Sequence, residues 1–274
     1  MSLLQVDQAK CKKDGICAAV CPVSVIEQAS SKDYPQMVEG GEEICIRCGH
    51  CVAVCPHGAM SHEIMASDAC PPVKKEWQLS PEQAEHFLRS RRSIRVYKPD
   101  TVAKETLAKL IDVASYAPSG HNTQPVSWQV IYDGEELRRL CGLVVDWQRT
   151  LIRDGSPLVE MLHLERVVEG WEAGIDVICR SAPHLIAAHA HKDERTAPTS
   201  ATIALTYLEL AAPAFGLGAC WAGFFTAAAI FYPPMAKALK LPEGHAVFGS
   251  LMIGKSKFKY HRLALRNEPQ VIWR

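Results

Sequence analysis

A short run of cysteines is the part of the sequence whose spacing most directly indicates chemistry. Residues 45–56 read CIRCGHCVAVCP, with thiols at 45, 48, 51 and 55 and a proline directly after the last one. An iron–sulfur cluster needs thiolates that converge from one loop and another from farther along the chain, and this C-x2-C-x2-C-x3-C-P spacing supplies them. Structural zinc sites use cysteine pairs separated by a longer arm. The run therefore predicts an iron–sulfur centre and redox chemistry.

The run occurs once more, 34 residues earlier, with one substitution. Residues 11–22 read CKKDGICAAVCP, so three cysteines and the proline keep their spacing, while Asp14 stands at the position that matches Cys48. A carboxylate is a harder and weaker iron ligand than a thiolate, so this corner would be labile. Asp-Gly is also a strong turn dipeptide. Both roles of Asp14, iron ligand and turn residue, therefore stay open.

This duplication resembles a bacterial-type two-cluster ferredoxin, in which the last cysteine of each run serves the other cluster. The resemblance implies a [4Fe-4S] cluster on Cys21, Cys45, Cys48 and Cys51. It also implies a second centre, [4Fe-4S] or [3Fe-4S], on Cys11, Cys17 and Cys55 with Asp14 in the fourth position. Because about 60 residues bury little apolar surface, the clusters themselves should hold this segment together.

The charge balance and the cysteine distribution exclude several classes of protein. The 274 residues carry 30 Lys and Arg against 30 Asp and Glu, so no nucleic-acid-binding surface is indicated. Seven of the 11 cysteines lie between positions 11 and 55, unlike those of a secreted disulfide scaffold. The first residues show no basic region followed by an apolar stretch, so no signal peptide is expected. These features favour a reducing, cytoplasmic location.

An apolar stretch in the second half of the chain is long enough to raise the question of a membrane-spanning helix. From Ser200 to Tyr232 the only charged residue is Glu209, and the length alone would allow a spanning helix. Proline and several glycines interrupt the stretch, and no basic cluster flanks it closely. We therefore expect no membrane span, but a buried helix over 201–212 capped by Ser200, followed by a glycine-rich turn over 216–223.

A change of composition near residue 75 predicts a boundary between two domains. Residues 70–72 read Cys-Pro-Pro, which excludes helix and indicates an extended linker. Ser80 is a predicted helix cap, with a proline directly after it and Gln83 completing a capping box. We expect a ferredoxin-like domain over 1–75 and a second domain over 76–274.

Two polar segments after this boundary have the composition of a site for a phosphorylated ring. Residues 89–95 read RSRRSIR, and their arginines can bind a phosphate through charge-assisted hydrogen bonds, although a solvated basic helix end has the same composition. An amphipathic helix with Leu107 and Leu110 then leads to residues 118–125, PSGHNTQP. These amides and hydroxyls suit either ordinary turns or the edge of a heteroaromatic ring. The alternating residues 126–132 predict a strand.

Together, RRSIR, APSGHNTQP and the strand with Trp128 resemble the nitroreductase family of flavin enzymes over residues 82–274. The resemblance implies an α+β fold with FMN at the interface of an intertwined homodimer. It implies that the FMN phosphate and ribityl chain meet Arg91, Arg92 and Ser93, with Arg95 nearby and Arg262 as the closing phosphate contact. It also implies that the ribityl chain and ring are approached by Pro118, Ser119, Gly120, Asn122, Gln124, Ala222 and Gly223.

The predicted fold class is thus α+β, a small ferredoxin-like iron–sulfur domain followed by a nitroreductase-like flavin domain. The leading hypothesis is that electrons pass from the clusters through FMN to a small organic acceptor of the nitroaromatic, quinone or enone type. An external ferredoxin or NAD(P)H is the candidate donor. Two alternatives stay open: an NAD(P)H-dependent nitroreductase that uses its clusters as outlet or sensor, and an electron-transfer or redox-sensing protein without turnover. No catalytic residue is assigned; His121 and the backbone near Gly223 are candidates for proton donation.

Overall fold

The computed structural model describes residues 3–274, which form two compact units. The first unit comprises the chain up to Gln78 together with residues 121–123. The second unit comprises Leu79–Gly120 together with residues 124–274. Both units combine helices with antiparallel strands, and each is described separately below.

The first unit is built from short elements. Its strands are β1 (Leu4–Val6), β2 (Ile26–Glu27), β3 (Gln36–Met37) and β4 (Met60–His62), and its helices are α1 (Ile16–Ala19), α2 (Gly41–Ile44) and α3 (His50–Val54). β1 pairs with β4 and β2 pairs with β3, both antiparallel. The buried core is small and consists of Cys17, Val25, Ile26, Val52 and Met60. Two 3₁₀ turns, Ser67–Ala69 and Lys75–Trp77, follow β4.

The 34-residue repeat is also visible in the backbone of this unit. Lys13 and Arg47, which are 34 positions apart, are both left-handed, with φ of 61° and 52°. Gly15 and Gly49 are related in the same way, with φ of 73° and 72°, and each directly precedes a short helix. A left-handed conformation is easy for glycine but uncommon for lysine or arginine. The two cysteine runs therefore fold through the same sequence of turns.

The second unit contains longer elements around one sheet. Its helices are α4 (Pro81–Ser90), α5 (Lys104–Ala114), α6 (Gly134–Arg153), α7 (Leu158–Leu162), α8 (Leu164–Glu172), α9 (Ala197–Ala211), α10 (Gly223–Phe231) and α11 (Pro233–Leu239), with a 3₁₀ turn at Ala212–Phe215. The 3₁₀ turn Gly120–Asn122 starts in this unit, and its residues 121 and 122 belong to the first unit. Its strands are β5 (Ser127–Ile131), β6 (His184–His191), β7 (Gly218–Trp221) and β8 (His245–Gly254). The strands pair antiparallel in the order β5-β6-β8-β7.

Helices cover both faces of this sheet, as the composition of its central strand β6 requires. Leu185 and Ala187 belong to one core, which they share with residues of α6, α8 and α10. Ile186 and Ala188 belong to the opposite core, which they share with residues of α5 and α9. Because side chains alternate along a strand, a continuous apolar run on β6 supplies both cores.

Two local predictions in this unit are confirmed. Ser80 caps α4, where its Oγ accepts a hydrogen bond from Gln83 N at 3.2 Å and Gln83 Oε1 accepts one from Ser80 N at 2.9 Å. The strand predicted over residues 126–132 is β5. Both features follow from local sequence, because a capping box and an alternating strand need only neighbouring residues.

Two predictions for the apolar stretch are wrong. α9 begins at Ala197, with a proline in its first turn, so Ser200 is a buried residue inside the helix and not its cap. The segment predicted as a glycine-rich turn contains β7, and α10 follows it directly. Gly218 in this segment serves close packing, since the Ile94 side chain occupies the place where Gly218 would carry a Cβ atom. Within residues 3–274 the structure has no helix that is both long and apolar enough to cross a membrane.

Candidate cluster and flavin sites

Four of the predicted iron ligands line one cavity of the first unit. Cys45, Cys48 and Cys51 come from the second repeat, and Cys21 comes from the end of the first repeat. The left-handed residues Arg47 and Gly49 bend the chain between these thiols, and His50 and His62 also line the cavity. We name it the Cys48 cavity.

The other predicted set lines a second cavity of the same unit, the Asp14 cavity. Cys11, Asp14 and Cys17 come from the first repeat, and Cys55 comes from the end of the second repeat. Each cavity is thus lined by three predicted ligands from one repeat and by the last cysteine of the other. Within residues 3–274 no three His, Cys, Asp or Glu side chains are close enough to hold a single metal ion, and the thiols instead line these two hollows. Thiolates are the ligands that iron–sulfur clusters use, so the donor sets fit such clusters.

Backbone hydrogen bonds reach sulfur at equivalent places in the two repeats. Val25 N donates to Cys21 Sγ at 3.4 Å, and Ala59 N donates to Cys55 Sγ at 3.3 Å. Hydrogen bonds to ligating sulfur help to set the potential of a cluster. Burial raises the pKa of the Cys17 thiol, and it raises that of Cys51 to about 11. A thiol with a raised pKa is protonated at neutral pH, so the predicted binding of iron at these residues would release protons.

Asp14 has the contacts of a turn residue and also lines a cavity. Its Oδ1 accepts a hydrogen bond from Ile16 N at 3.2 Å, which is typical of an aspartate in a turn. Its Oδ2 lies 3.8 Å from Nε2 of His57. The same carboxylate lines the cavity that also exposes Cys11, Cys17 and Cys55. The turn role is therefore present, and iron ligation by Asp14 stays a prediction.

In the second unit, the predicted phosphate-binding segment is tied to β7 and to the residues after β8. Ile94 N donates to Ala219 O at 3.0 Å, and Lys257 N donates to Val96 O at 3.0 Å. The Arg92 guanidinium lies 5.8 Å from the ring centre of Tyr260, and Arg262, two residues farther on, is exposed. The fold thus places the RRSIR segment and the residues after β8 next to β7, which is an edge strand of the sheet.

Arg91 forms an ion pair with a buried carboxylate. Its Nη1 donates to Glu209 Oε1 at 2.9 Å and lies 3.4 Å from Ser93 Oγ. Glu209 is only 6% exposed on the otherwise apolar helix α9. A buried carboxylate is tolerated only when it is paired, so Glu209 depends on Arg91. The pair attaches the start of the predicted phosphate-binding segment to the core of the unit.

Arg95 and Gly223 line a mainly apolar cavity of about 440 Å³, which we name the main cavity. Gly223 begins α10, and no atom lies within 4 Å of the place where its Cβ would be. Packing within the chain therefore does not require this glycine, and its bare backbone leaves space for a flat ring to approach. The neighbouring Ala222 is buried, and its N donates to Ser250 O at 2.9 Å.

Three of the remaining predicted ring contacts line a different cavity of the second unit. Pro118, Ser119 and Gln124 line a space of about 110 Å³, where Ser119 Oγ accepts from Gln124 N at 2.9 Å. His121, Asn122 and Gln124 have φ of 50°, 54° and 44°, values that are uncommon outside glycine and often accompany binding sites. The predicted FMN residues that line a cavity therefore fall into two groups, Arg95 and Gly223 in the main cavity and Pro118, Ser119 and Gln124 in the other.

Two families match successive parts of the chain. Residues 6–59 match the 4Fe-4S dicluster domain, and residues 88–255 match the nitroreductase family. The chain belongs to the nitroreductase family. It carries a 4Fe-4S dicluster domain in front of its nitroreductase domain. The predicted fold class and the predicted nitroreductase and ferredoxin-like domains are therefore confirmed.

Three known proteins show how far the similarity extends. Nitroreductase NfnB of Mycolicibacterium smegmatis is 37% identical over 65 residues, which is 23% of this chain and 27% of that enzyme, so the match spans about a quarter of NfnB. Ferredoxin 7Fe of Hydrogenibacillus schlegelii is 36% identical over 66 residues, 24% of this chain and 69% of the ferredoxin. A nitroreductase with bound FMN from Bacteroides fragilis has a TM-score of 0.59 at 19% identity, covering 70% of this chain and 99% of that one. This last likeness shows the fold.

Sequence reasoning did not assign the contacts of three residues near these sites. Glu209 had a signal, because it is the one charged residue between Ser200 and Tyr232. His62 and Arg180 have no local motif, and they line the Cys48 cavity and the main cavity through the folding of distant segments.

Proposed function

We propose that this chain takes up electrons through its iron–sulfur clusters, passes them to FMN and reduces a small organic acceptor. The observation that carries the proposal is the presence of a dicluster domain and a nitroreductase domain in one polypeptide. FMN, when bound, accepts electrons singly and delivers them in pairs. Because the cluster domain and the flavin domain are covalently joined, the effective concentration of the clusters at the flavin is high. Two electrons and two protons convert a quinone into a hydroquinone, or a nitro group into a nitroso group and water.

The two iron–sulfur centres are proposed to differ in iron content. The Cys48 cavity offers four thiolates, which suits a [4Fe-4S] cluster. The Asp14 cavity offers three thiolates and a carboxylate, and a weaker fourth ligand favours loss of one iron. The name of the related Ferredoxin 7Fe states seven irons, the sum of a four-iron and a three-iron centre. These points favour a [3Fe-4S] centre in the Asp14 cavity over a second [4Fe-4S] cluster.

FMN is proposed to bind through the residues that the family resemblance implies. The phosphate-binding group consists of Arg91, Arg92, Ser93, Arg95 and Arg262, and the ring-binding group consists of Pro118, Ser119, Gly120, Asn122, Gln124, Ala222 and Gly223. The shared cavity of Arg95 and Gly223 supports the proposal, because it places a cation and a bare backbone beside one apolar space. The related Bacteroides fragilis structure contains FMN.

A homodimer with FMN between its subunits would bring the two groups of residues together. In one chain, Pro118 and Ser119 line a different cavity from Arg95 and Gly223. A second copy can supply the missing group to each site. Large apolar side chains that a partner would cover include Phe231, which is 68% exposed, and Trp273, which is 89% exposed.

Anaerobic stopped-flow spectroscopy tests the electron path. The protein, carrying both clusters and FMN, is mixed with a reduced ferredoxin, and the absorbance of the flavin is followed. We expect rapid FMN reduction in the wild type and slow reduction in Cys48→Ser, which is designed to impair the four-thiolate cluster while leaving the flavin residues intact. Rapid reduction by NADPH combined with none from the reduced clusters would replace the proposal with the NAD(P)H-dependent alternative. A chain that binds no FMN would refute the proposal altogether.

A further inference from the structure

We propose that His62 donates a hydrogen bond from Nε2 to a sulfur atom of the cluster in the Cys48 cavity, and so raises the potential of that cluster. The proposal rests on the cluster assignment made above. His62 ends β4 and is only 3% exposed. It lines the same cavity as the four cysteines of this set.

The hydrogen bond at the other ring nitrogen determines where the proton lies. Ile64 N donates to His62 Nδ1 at 3.2 Å, so Nδ1 is an unprotonated acceptor. In a neutral imidazole the proton then has to be on Nε2. A protonated Nε2 has no free lone pair, so this nitrogen acts as a hydrogen-bond donor and not as an iron ligand.

This donor has no acceptor within the described protein. In the part of the chain that the structure describes, Nε2 of His62 is buried and makes no hydrogen bond. Such unpaired buried donors are rare in folded proteins and call for a partner that occupies the neighbouring space. The backbone of His62 is fixed, because its N donates to Met65 O at 2.9 Å and its O accepts from Met65 N at 2.8 Å, and the hydrogen bond from Ile64 N to Nδ1 orients the ring. A cluster sulfur in the cavity would satisfy the donor.

The other repeat lacks this donor, which makes the expected effect specific to one cluster. The residue 34 positions before His62 is Gln28. Its Nε2 donates to Lys13 O and to Asp33 O, each at 3.0 Å. Its amide protons are therefore used by the protein backbone, and the Asp14 cavity receives no equivalent side-chain hydrogen bond from this position.

Redox titration followed by EPR tests the proposal on the holoprotein with His62→Leu and His62→Gln. Leucine fills the space without a donor, whereas the glutamine Nε2 can donate from nearly the same place. A hydrogen bond to sulfur favours the more negative, reduced cluster. We expect His62→Leu to lower the equilibrium constant for reduction of this cluster about tenfold, which is about 59 mV for one electron. His62→Gln should stay near the wild type, and the other cluster should not change in either variant.

An unchanged potential in His62→Leu, or equal shifts in both variants, would overturn the proposal. If neither variant retains its cluster, pulsed EPR of the reduced wild type labelled with 15N-histidine decides the question. We expect a 15N coupling that persists in His50→Gln, a control needed because His50 lines the same cavity. Absence of that coupling would refute the hydrogen bond. Iron and sulfide analysis of the wild type separates this failure from failure of the cluster assignment itself.

A second inference, carried by a different observation, concerns the main cavity of the flavin domain. We infer that Arg180 binds an anionic group of the acceptor, so that the preferred acceptor is an apolar ring bearing a carboxylate or similar group. This inference rests on the proposed flavin site. Among the described residues that line the cavity, the charged ones are Arg95, assigned to FMN, and Arg180, and none is acidic. The other walls are apolar, with Trp147, Leu151 and Phe224 among them.

The loop that carries Arg180 is held in place by one carboxylate. Asp176 Oδ1 accepts from Ile178 N and Cys179 N, both at 2.9 Å, and its Oδ2 accepts from Ser181 N at 2.9 Å. Arg180 and Ser181 are both left-handed, with φ of 56° and 53°, a strained pair of a kind that often marks a functional site. Asp176 thus bonds to the backbone, and within residues 3–274 the Arg180 guanidinium forms no ion pair. The cation remains available to a ligand in the cavity.

Steady-state kinetics with two matched acceptors test this inference. Wild type, Arg180→Gln and the control Arg166→Gln, which removes an exposed arginine of α8 outside the cavity, are each loaded with FMN and both clusters. The acceptors are 4-nitrobenzoate and its neutral methyl ester, and a reduced ferredoxin supplies the electrons. We expect the wild type and the control to favour the anion about tenfold in kcat/KM, as a charge-assisted contact allows. Arg180→Gln should abolish the preference through KM for the anion and leave the ester unchanged.

Two results would overturn the role of Arg180. One is an equal preference in the wild type and in Arg180→Gln. The other is weaker binding of FMN but not of riboflavin in Arg180→Gln, which would assign Arg180 to the cofactor phosphate. Failure of FMN-loaded wild type to reduce either acceptor would instead count against the proposed function.

Discussion

The two units of this chain rely on different interactions for their stability. The first unit has strands of two or three residues and a buried core of five residues beside two cavities lined by thiols. The second unit has a sheet with strands of up to ten residues and an apolar core on each face. Small domains with little buried apolar surface generally need metals or disulfides to fold. The comparison indicates that the first unit depends on its clusters, whereas the second folds through its apolar cores.

Removal of the clusters should therefore unfold the first unit and leave the second unit folded. Oxidation and chelation of iron should leave the first unit without its main source of stability, because binding free energy of the metal is folding free energy in such domains. We expect amides of residues 3–66 to lose protection in hydrogen exchange followed by mass spectrometry, while β6 and β8 stay protected. Persistent protection of the first unit after complete iron loss would show that its small core is sufficient, and the comparison would fail.

A second prediction concerns the buried ion pair of the second unit. Arg91→Ala leaves the Glu209 carboxylate buried without its partner, and breaking such a pair costs about 3 kcal/mol of unfolding free energy. Arg92→Ala, in the same segment, removes a contact with the Tyr260 ring at 5.8 Å and should cost under about 1 kcal/mol. Urea unfolding of the flavin-free protein, followed by tryptophan fluorescence, measures both values. Equal losses of unfolding free energy in the two variants would show that the ion pair stabilises the unit no more than the contact between Arg92 and Tyr260 does.

The double variant Arg91→Met with Glu209→Leu distinguishes the cost of an unpaired buried charge from the cost of lost side-chain packing. It removes both charges, so the uncompensated carboxylate disappears and stability should return toward that of the wild type. If Arg91 also contacts the FMN phosphate, the double variant should bind FMN more weakly than the wild type even though its stability is restored. Loss of stability equal to that of Arg91→Ala would mean that the packing of the side chains, and not the charge, is responsible.

Sequence patterns predicted the features that depend on neighbouring residues or on the repeat. The grouping of cysteines around two cavities follows the crossed ligand sets that the ferredoxin resemblance implies, although the ligands themselves stay a prediction. Contacts between distant segments had no such signal. Arg91 and Glu209 are 118 positions apart, and neither shows in its local sequence that the other is its partner. The start of α9 at Ala197 was missed because both Thr196 and Ser200 are residue types that cap helices. Only the packing of the folded chain selects Thr196 as the N-cap.

Within the first unit, the two repeats differ at Asp14, which stands where the second repeat has Cys48. Asp14→Cys makes the first repeat match the second, so the Asp14 cavity should gain a fourth thiolate. We expect the iron content to rise by one atom per chain and the EPR spectrum to change from that of a three-iron centre to that of a second four-iron cluster. Asp14→Asn keeps a turn-forming side chain without the charge and is the matched control. An unchanged spectrum in Asp14→Cys would count against ligation at this position.

The unfolding free energy of the second unit should depend weakly on pH. Burial lowers the pKa of His184, and burial together with the nearby His245 lowers that of His189. His184 is fully enclosed, with Nε2 accepting from Val102 N at 2.9 Å and Nδ1 2.8 Å from Tyr132 O, so its neutral form is the one that the fold satisfies. Below the unfolded pKa of 6.5 the unfolded chain binds protons that the folded chain does not. Unfolding free energy should therefore be constant above that pH and fall as the pH drops below it.

Replacement of one histidine distinguishes this cause from general acid sensitivity. His189→Gln removes one of the two buried histidines, His184 and His189, whose pKa values the fold lowers. Its slope of unfolding free energy against pH should be smaller than that of the wild type below pH 6.5 and equal above it. The tryptophan signal of the second unit is suited to the measurement, since Trp147 is buried in its core. Identical slopes in both proteins would show that other groups cause the acid sensitivity of the apolar unit.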